Sequence, residues 1–295
     1  DQVQSAVAAE WNKRLGVITD VKGATDEQLV NLYSDLYRMN LYPNSQFENT
    51  GTSDSPKYMY ASPVSATSGS ATDTNTNAKL VDGKIYVNNG FWDTYRTEWP
   101  AIAFFYPDLA EELVDGFTQQ YRDGGWIARW SSPGYADLMT GTSSDVAFAE
   151  AYMAGTLSNE KALDAYDAAV KNATTLPASS GVGRKGLDTS IFLGYTADST
   201  GQSASWGLEG FINDFGIAQM AAALAADPDT PKDRLEQLKD EAAYFEARSE
   251  DYVNMFNEAA GTFTSRNSDG TWDDGAGFDK MAWGHAFTEA SAWTF

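Results

Sequence analysis

Apolar residues recur at helical spacing over most of this chain, and the stretches that break the rhythm mark its loops. Val3, Val7, Ala8, Trp11 and Leu15 share one face of a segment running from Asp1 to Leu15, which Gly16 stops. Thr25-Asp26-Glu27-Gln28 is a capping box, in which the threonine side chain and the glutamine at the third helical position reciprocally satisfy open backbone N–H groups. Leu29, Leu32, Tyr33, Leu36 and Tyr37 follow at helical spacing, so a helix is predicted that ends near Pro43.

The rhythm is lost over residues 44–83, which are rich in Ser, Thr, Asn, Gly and Asp, with Tyr58 to Tyr60 as the aromatic patch. They predict a long loop, and Lys84 to Val87 a short strand or extended arm after it; loops of that length in compact domains build sites or stay disordered. From Trp92 the helical period returns. Helices are predicted over Thr94 to Tyr106, over Asp108 to Tyr121 with Leu109, Leu113, Phe117 and Tyr121 on one face, and over the pair Ser144 to Ala154 and Asn159 to Asn172. Leu208 to Ala225 is apolar on most sides, whereas Lys232 to Asn257 is amphipathic. Alternation of inner helices that are apolar all round with amphipathic outer ones, joined by Gly-rich loops, predicts a mainly α fold of the α/α-toroid kind.

Charge narrows the partners. The 295 residues carry 42 acidic against 20 basic side chains, a formal charge of −22, which repels phosphate backbones and anionic headgroups and argues against nucleic acid and membrane partners. No apolar run approaches the roughly 20 residues of a membrane helix. The absence of Cys removes disulfides and thiolate metal sites, and a single histidine, His285, removes any His cluster. Nine Trp, 15 Tyr and 15 Phe supply flat faces that stack on pyranose rings, although core packing uses most aromatic side chains.

The densest candidate cluster is Gly90-Phe91-Trp92-Asp93-Thr94-Tyr95-Arg96, where Trp92 offers a stacking face and Asp93 and Arg96, three apart on one helical face, can accept from and donate to vicinal hydroxyls or pair with each other. The connection Gly124 to Tyr135, containing Trp130, leads into Gly141-Thr142-Ser143-Ser144-Asp145; Asp145 at a helix start caps it, binds a hydroxyl, or both. Glu209 and Glu289 stand in apolar and aromatic surroundings, which favour the neutral carboxyl that a general acid requires. Asn213 and Asp214, one turn beyond Glu209, are its candidate hydrogen-bonding neighbours, and a helical link would join His285 to Glu289. Asn267 to Asp274 departs from the EF-hand spacing and predicts a turn.

Taken in order, Gly90 to Arg96, Gly125-Trp126 through Ser132-Pro133-Gly134-Tyr135, Gly141 to Asp145, Leu208 to Ala218 and Tyr252 to Asn257 resemble the α-mannosidases of glycoside hydrolase family 92 over nearly the whole chain. The resemblance implies an N-terminal β-sandwich followed by an (α/α)6 toroid, with residues 1–295 an incomplete toroid from the catalytic domain. It further implies calcium-dependent (Ca2+) hydrolysis of terminal α-mannosides with inversion, acting on an oligosaccharide or glycan, in a secreted or periplasmic enzyme whose signal lies elsewhere. Glu289, in Glu289-Ala290-Ser291-Ala292-Trp293, matches the family's general acid, although Ala290 and Ser291 depart from its Gly and Asn. Trp92 and Asp93 match sugar-binding positions, and Arg96, Trp130, Asp145 and Glu209 complete the candidate substrate-binding set. The general base and calcium ligands are expected outside this sequence, so the chain by itself is expected to be inactive. Two rival readings stay open: an inverting toroid glycosidase acting on glucosides with Glu209 as the acid, and a non-catalytic carbohydrate-binding relic.

Overall fold

A computed structural model describes residues 1–272 and 286–289. Helix α1 (Gln2–Leu15) buries none of its side chains, and Val3 and Val7 face outward; Trp11 packs on Tyr37 of α2 (Asp26–Met39), ring centroids 4.6 Å apart. The predicted apolar stripe of α1 therefore meets little of the domain. The capping box opens α2, with Thr25 accepting from the Gln28 N–H and Gln28 returning to the Thr25 N–H.

The region expected to be a long loop is pinned by short antiparallel ribbons. Strand β1 (Asn44–Ser45) pairs with β5 (Tyr86–Val87), and β2 (Glu48–Asn49), β3 (Tyr58–Ala61) and β4 (Leu80–Asp82) form a three-stranded sheet in sequence order. The strand predicted over Lys84 to Val87 thus shrinks to its last two residues. Strand β6 (Asn89–Gly90) pairs with β7 (Trp130–Ser131), and the Trp130 ring lies so close to Gly90 that a Cβ there would meet it at 2.3 Å. Only glycine admits this approach, which fixes where the chain enters α3 (Phe91–Thr94).

The core is helical. Phe91 packs with Trp99 of α4 (Glu98–Phe105), Phe117 of α5 (Pro107–Gly124) and Phe148 of α6 (Ser144–Met153), ring centroids 5.1–5.5 Å away. Small residues of α7 (Asn159–Thr174), including Ala162, Ala165 and Ala169, close the same core. Helix α8 (Leu187–Leu193), bounded by Gly186 and Gly194 in left-handed conformation, was not predicted. Helix α9 (Ser203–Ala226) is buried along most of its length and packs against α6, α7 and the amphipathic α10 (Leu235–Ser249); the predicted single helix to Asn257 instead passes at Glu250 into a 3-10 helix and then β8 (Phe256–Asn257), which pairs with β9 (Thr262–Phe263). Among the described residues no helix is long and apolar enough to cross a membrane. The fold is mainly α.

Residues 286–289 dock on the start of α9. The Ala286 carbonyl accepts from the Ala204 and Ser205 N–H groups, satisfying donors that a helix N-terminus leaves open, and the Thr288 N–H donates to Ser205 Oγ at 2.9 Å. Ala286 and Phe287 are buried against Tyr195, Leu208, Phe211 and Met255.

Candidate active site

Four segments converge beside the first half of α9: α3, the residues that follow it, the loop around Gly141, and residues 286–289. The loop is tied to the last of these by a 3.4 Å contact between the Thr140 and Thr288 hydroxyls. Trp92 is half-buried, with its indole Nε1 enclosed and lacking a hydrogen-bond partner. Asp93 is held above the usual carboxylate range by partial burial and by the nearby charge of Glu289. Two sequence candidates 196 positions apart by number, Asp93 and Glu289, are therefore brought near each other.

Arg96 does not pair with Asp93. Helix α3 ends at Thr94, so the expected i,i+3 register is cut short, and the Arg96 guanidinium instead donates to Glu209 Oε1 at 2.7 Å. The Tyr95 hydroxyl donates to the other oxygen, Oε2, at 3.0 Å. Glu209 is fully buried, whereas the Arg96 side chain is 38 % exposed, so the acid lies behind and the base at the surface. Arg96 also lies over the Tyr95 ring, 4.3 Å from its centroid.

Asp145 lies deeper. Its side chain has no solvent exposure and does not cap α6, whose N-cap is Ser143. Its oxygens accept from Thr142 Oγ1 at 2.6 Å, Asn172 Nδ2 at 2.9 Å and Arg184 at 3.3 Å. Burial outweighs these donors and pushes the carboxyl up to about 6. Arg184 continues to Asp214 at 2.5 Å, and Arg248 grips Asp214 with two nitrogens at 2.6 Å each. Asn213 accepts from the Thr142 N–H at 2.7 Å. Asn213 and Asp214 are thus not hydrogen-bonding neighbours of Glu209. Trp130, half-buried on Gly90, shapes the entry to α3.

Tyr95, Thr140, Ser205, Arg184 and Arg248 escaped the sequence reading. Tyr95 stands inside the quoted cluster and adjoins Arg96, a signal that went unused; the others act through partners more than 25 positions away and leave no local pattern. His285 and Ala290 to Trp293 lie outside the described residues, as does the end of the Asn267 to Asp274 stretch. Its described part is a turn, closed by a bridge between Arg266 and Trp272 and by the Asn267 N–H donating to the Thr271 carbonyl. Among the described residues no three acidic or histidine side chains converge as metal ligands.

A helical domain that gathers a half-buried tryptophan, an arginine anchored on a buried glutamate and two neighbouring carboxyls has the furnishings of a carbohydrate-enzyme domain. Comparison with known proteins makes this specific: the chain matches the glycosyl hydrolase family 92 catalytic domain over residues 1–295, and it belongs to that family. It superposes on the family GH92 inverting mannosidase BT2199 of Bacteroides thetaiotaomicron with a TM-score of 0.81 and 30 % identity, covering 99 % of this chain and 36 % of that one. It also superposes on the family GH92 α-mannosidase BT3965 of the same organism with a TM-score of 0.71 and 18 % identity, covering 98 % of this chain and 34 % of that one, a likeness of fold alone. The chain spans about a third of the length of these solved structures. No curated protein sequence matches it.

Proposed function

We propose that this chain is part of the (α/α)6 toroid of an enzyme that hydrolyses terminal α-mannosides with inversion of configuration, and that the activity resides in the complete protein carrying it. Membership of family 92 and the likeness to an inverting mannosidase support the reaction class. The observation that supports the local assignment is the docking of residues 286–289 on α9, with Thr288 bonded to Ser205 and Glu289 close enough for its charge to act on Asp93. In this reading Glu289 protonates the departing glycosidic oxygen, and a water attacks the anomeric carbon from the opposite face. Single displacement needs about 6.5–9.5 Å between the acid and the base that activates the water. That base is assigned to none of the described residues. Trp92 stacks on the sugar ring, and Asp93 and Arg96 contact its hydroxyls.

Calcium dependence belongs to the same proposal, with ligands other than the described residues. A secreted or periplasmic location accompanies it, and cell fractionation tests that. The glucosidase rival, with Glu209 as acid, is disfavoured by geometry: Glu209 is fully buried and both of its oxygens are occupied by Tyr95 and Arg96. The discriminating measurement is mannose release from α-mannobiosides by the complete protein, with the product anomer followed by NMR. Initial β-mannose, lost on chelation and reduced about 10²- to 10⁴-fold in Glu289→Gln, is the expected result. Absence of release from every linkage, or loss in Glu209→Gln with Glu289→Gln unaffected, overturns the assignment.

A further inference from the structure

Glu209 is a fully buried carboxyl paired with Arg96. Both of its oxygens are taken, Oε2 by the Tyr95 hydroxyl at 3.0 Å and Oε1 by Arg96 at 2.7 Å. Its side chain has no exposure, so no ligand reaches it directly. The wall behind it is also filled: Gly141 sits so close that a Cβ there would meet Glu209 Cβ at 2.9 Å. What the acid controls is therefore the group in front of it.

That group is Arg96. It follows the end of α3 and is not held by helical packing; its side chain is 38 % exposed, and a free arginine there would sample many rotamers. The 2.7 Å bond to Glu209 and the Tyr95 ring 4.3 Å beneath the guanidinium fix it in one orientation, in the segment that directly follows Trp92 and Asp93. One guanidinium nitrogen is committed to Glu209, and a guanidinium carries five N–H donors in a fixed fork. Glu209 also cancels the positive charge of Arg96, so the pair offers directional donors without net charge, which suits the hydroxyl groups of an uncharged sugar.

We infer that Glu209 is a positioning residue, with Tyr95 as its support: it orients Arg96 so that the remaining guanidinium donors meet neighbouring hydroxyls of the bound sugar. This rests on the mannosidase reading given above. Glu209 touches no substrate and transfers no proton; it acts through Arg96 alone, and because Arg96 holds the sugar before and during the reaction, its loss falls mainly on KM.

The test is a double-mutant cycle in the complete protein, with KM and kcat for an α-mannobioside measured for wild type, Glu209→Gln, Arg96→Ala and the double variant. Glutamine keeps the size of the side chain and still accepts from Tyr95 while losing its charge-assisted bond to Arg96. The expected result is a KM raised roughly 10- to 100-fold in Arg96→Ala, a similar or smaller rise in Glu209→Gln, and a double variant no worse than Arg96→Ala. Thermal unfolding run on the same samples separates a displaced Arg96 from lost fold, and Tyr95→Phe, which spares both charges, is expected to give a smaller rise in KM than Glu209→Gln. Multiplied effects in the double variant, an unchanged KM in a folded Glu209→Gln, or a loss confined to kcat overturns the inference while leaving the mannosidase reading intact. Failure of the wild-type protein to release mannose overturns that reading, and the inference with it.

Discussion

Helix α9 carries two buried acids little more than a turn apart, and they serve opposite ends. Asp214 receives Arg184 and two nitrogens of Arg248, Nε and Nη2, and those arginine side chains are 6 % and 10 % exposed. Their further donors go to Thr142, Asp145, and the carbonyls of Gly210 and Ala173. Glu209, equally buried, receives a single arginine that is 38 % exposed. Burial of the carboxylate does not distinguish scaffold from site; the accessibility of its cation does. A guanidinium with every nitrogen spent inside the protein has nothing left for a ligand, whereas Arg96 keeps donors at the surface.

Isosteric removal of each charge tests the distinction at its strongest point. Asp214→Asn leaves the buried Arg248 without its carboxylate and Arg184 with Asp145 alone, and breaking such a buried pair costs about 3–5 kcal/mol. Glu209→Gln leaves an arginine that turns to water, for a loss of about 1–2 kcal/mol. Urea unfolding of the two variants measures both. Equal losses would show that Arg96 is as much a structural cation as Arg248.

A third acid sharpens the contrast because one of its oxygens has no partner. Glu98, in the first turn of α4, has a buried Oε1 without a hydrogen bond, and burial pushes its carboxyl from 4.5 up to about 7. Between those two values the folded state holds a proton that the unfolded state has released, so stability falls as pH rises through that window. Glu98→Gln mimics the protonated form. It is expected to stabilise the protein by roughly 2–3 kcal/mol at pH 8, with the gain shrinking as pH falls and vanishing below the ordinary glutamate value. A gain independent of pH would mean that packing, not charge, sets the cost.

These partnerships also mark how far the sequence could be read. The capping box at Thr25 was legible because both of its bonds close within three residues, and α6, α7 and α9 were legible as long runs between loop signals, although α9 begins at Ser203, before the predicted Leu208. Helix α8 was not, since seven residues between two glycines offer too little period to separate a helix from a loop. The ribbons of residues 44–90 rest on pairings of two to three residues, such as Asn44 with Val87, which no local pattern announces. In the site, the apolar setting of Glu209 correctly marked a buried carboxyl. The partner of Arg96 was misread, because the spacing to Asp93 assumes a helix that stops at Thr94, and the true partner lies 113 residues away. Local chemistry survives in sequence; which charge meets which is settled by how α9 packs.

The smallest effect concerns the loop that separates the two acids. Gly141 has φ +75°, and a Cβ there would meet Glu209 Cβ at 2.9 Å and Asn213 Oδ1 at 3.3 Å. The same loop supplies Thr142 to Asp145 and Asn213 on the scaffold side, and Thr140 to Thr288, next to Glu289, on the site side. Gly155 provides the control: its φ is +77°, and a Cβ there would meet nothing within 4 Å. Alanine at either position bears the cost of a left-handed backbone, about 1 kcal/mol, but only Gly141→Ala must also move the loop or Glu209. Gly141→Ala is therefore expected to lose about 1 kcal/mol more than Gly155→Ala in urea unfolding. It is also expected to lower kcat/KM for an α-mannobioside severalfold, while Gly155→Ala changes it little. Matching stability losses would mean that the loop yields without disturbing either acid, and matching activities would show that the Thr140 contact does not set the position of residues 286–289. A loss of activity without extra instability would place the strain on the Arg96 side, because Glu209 gives way more readily than the twice-clamped network beside Asn213.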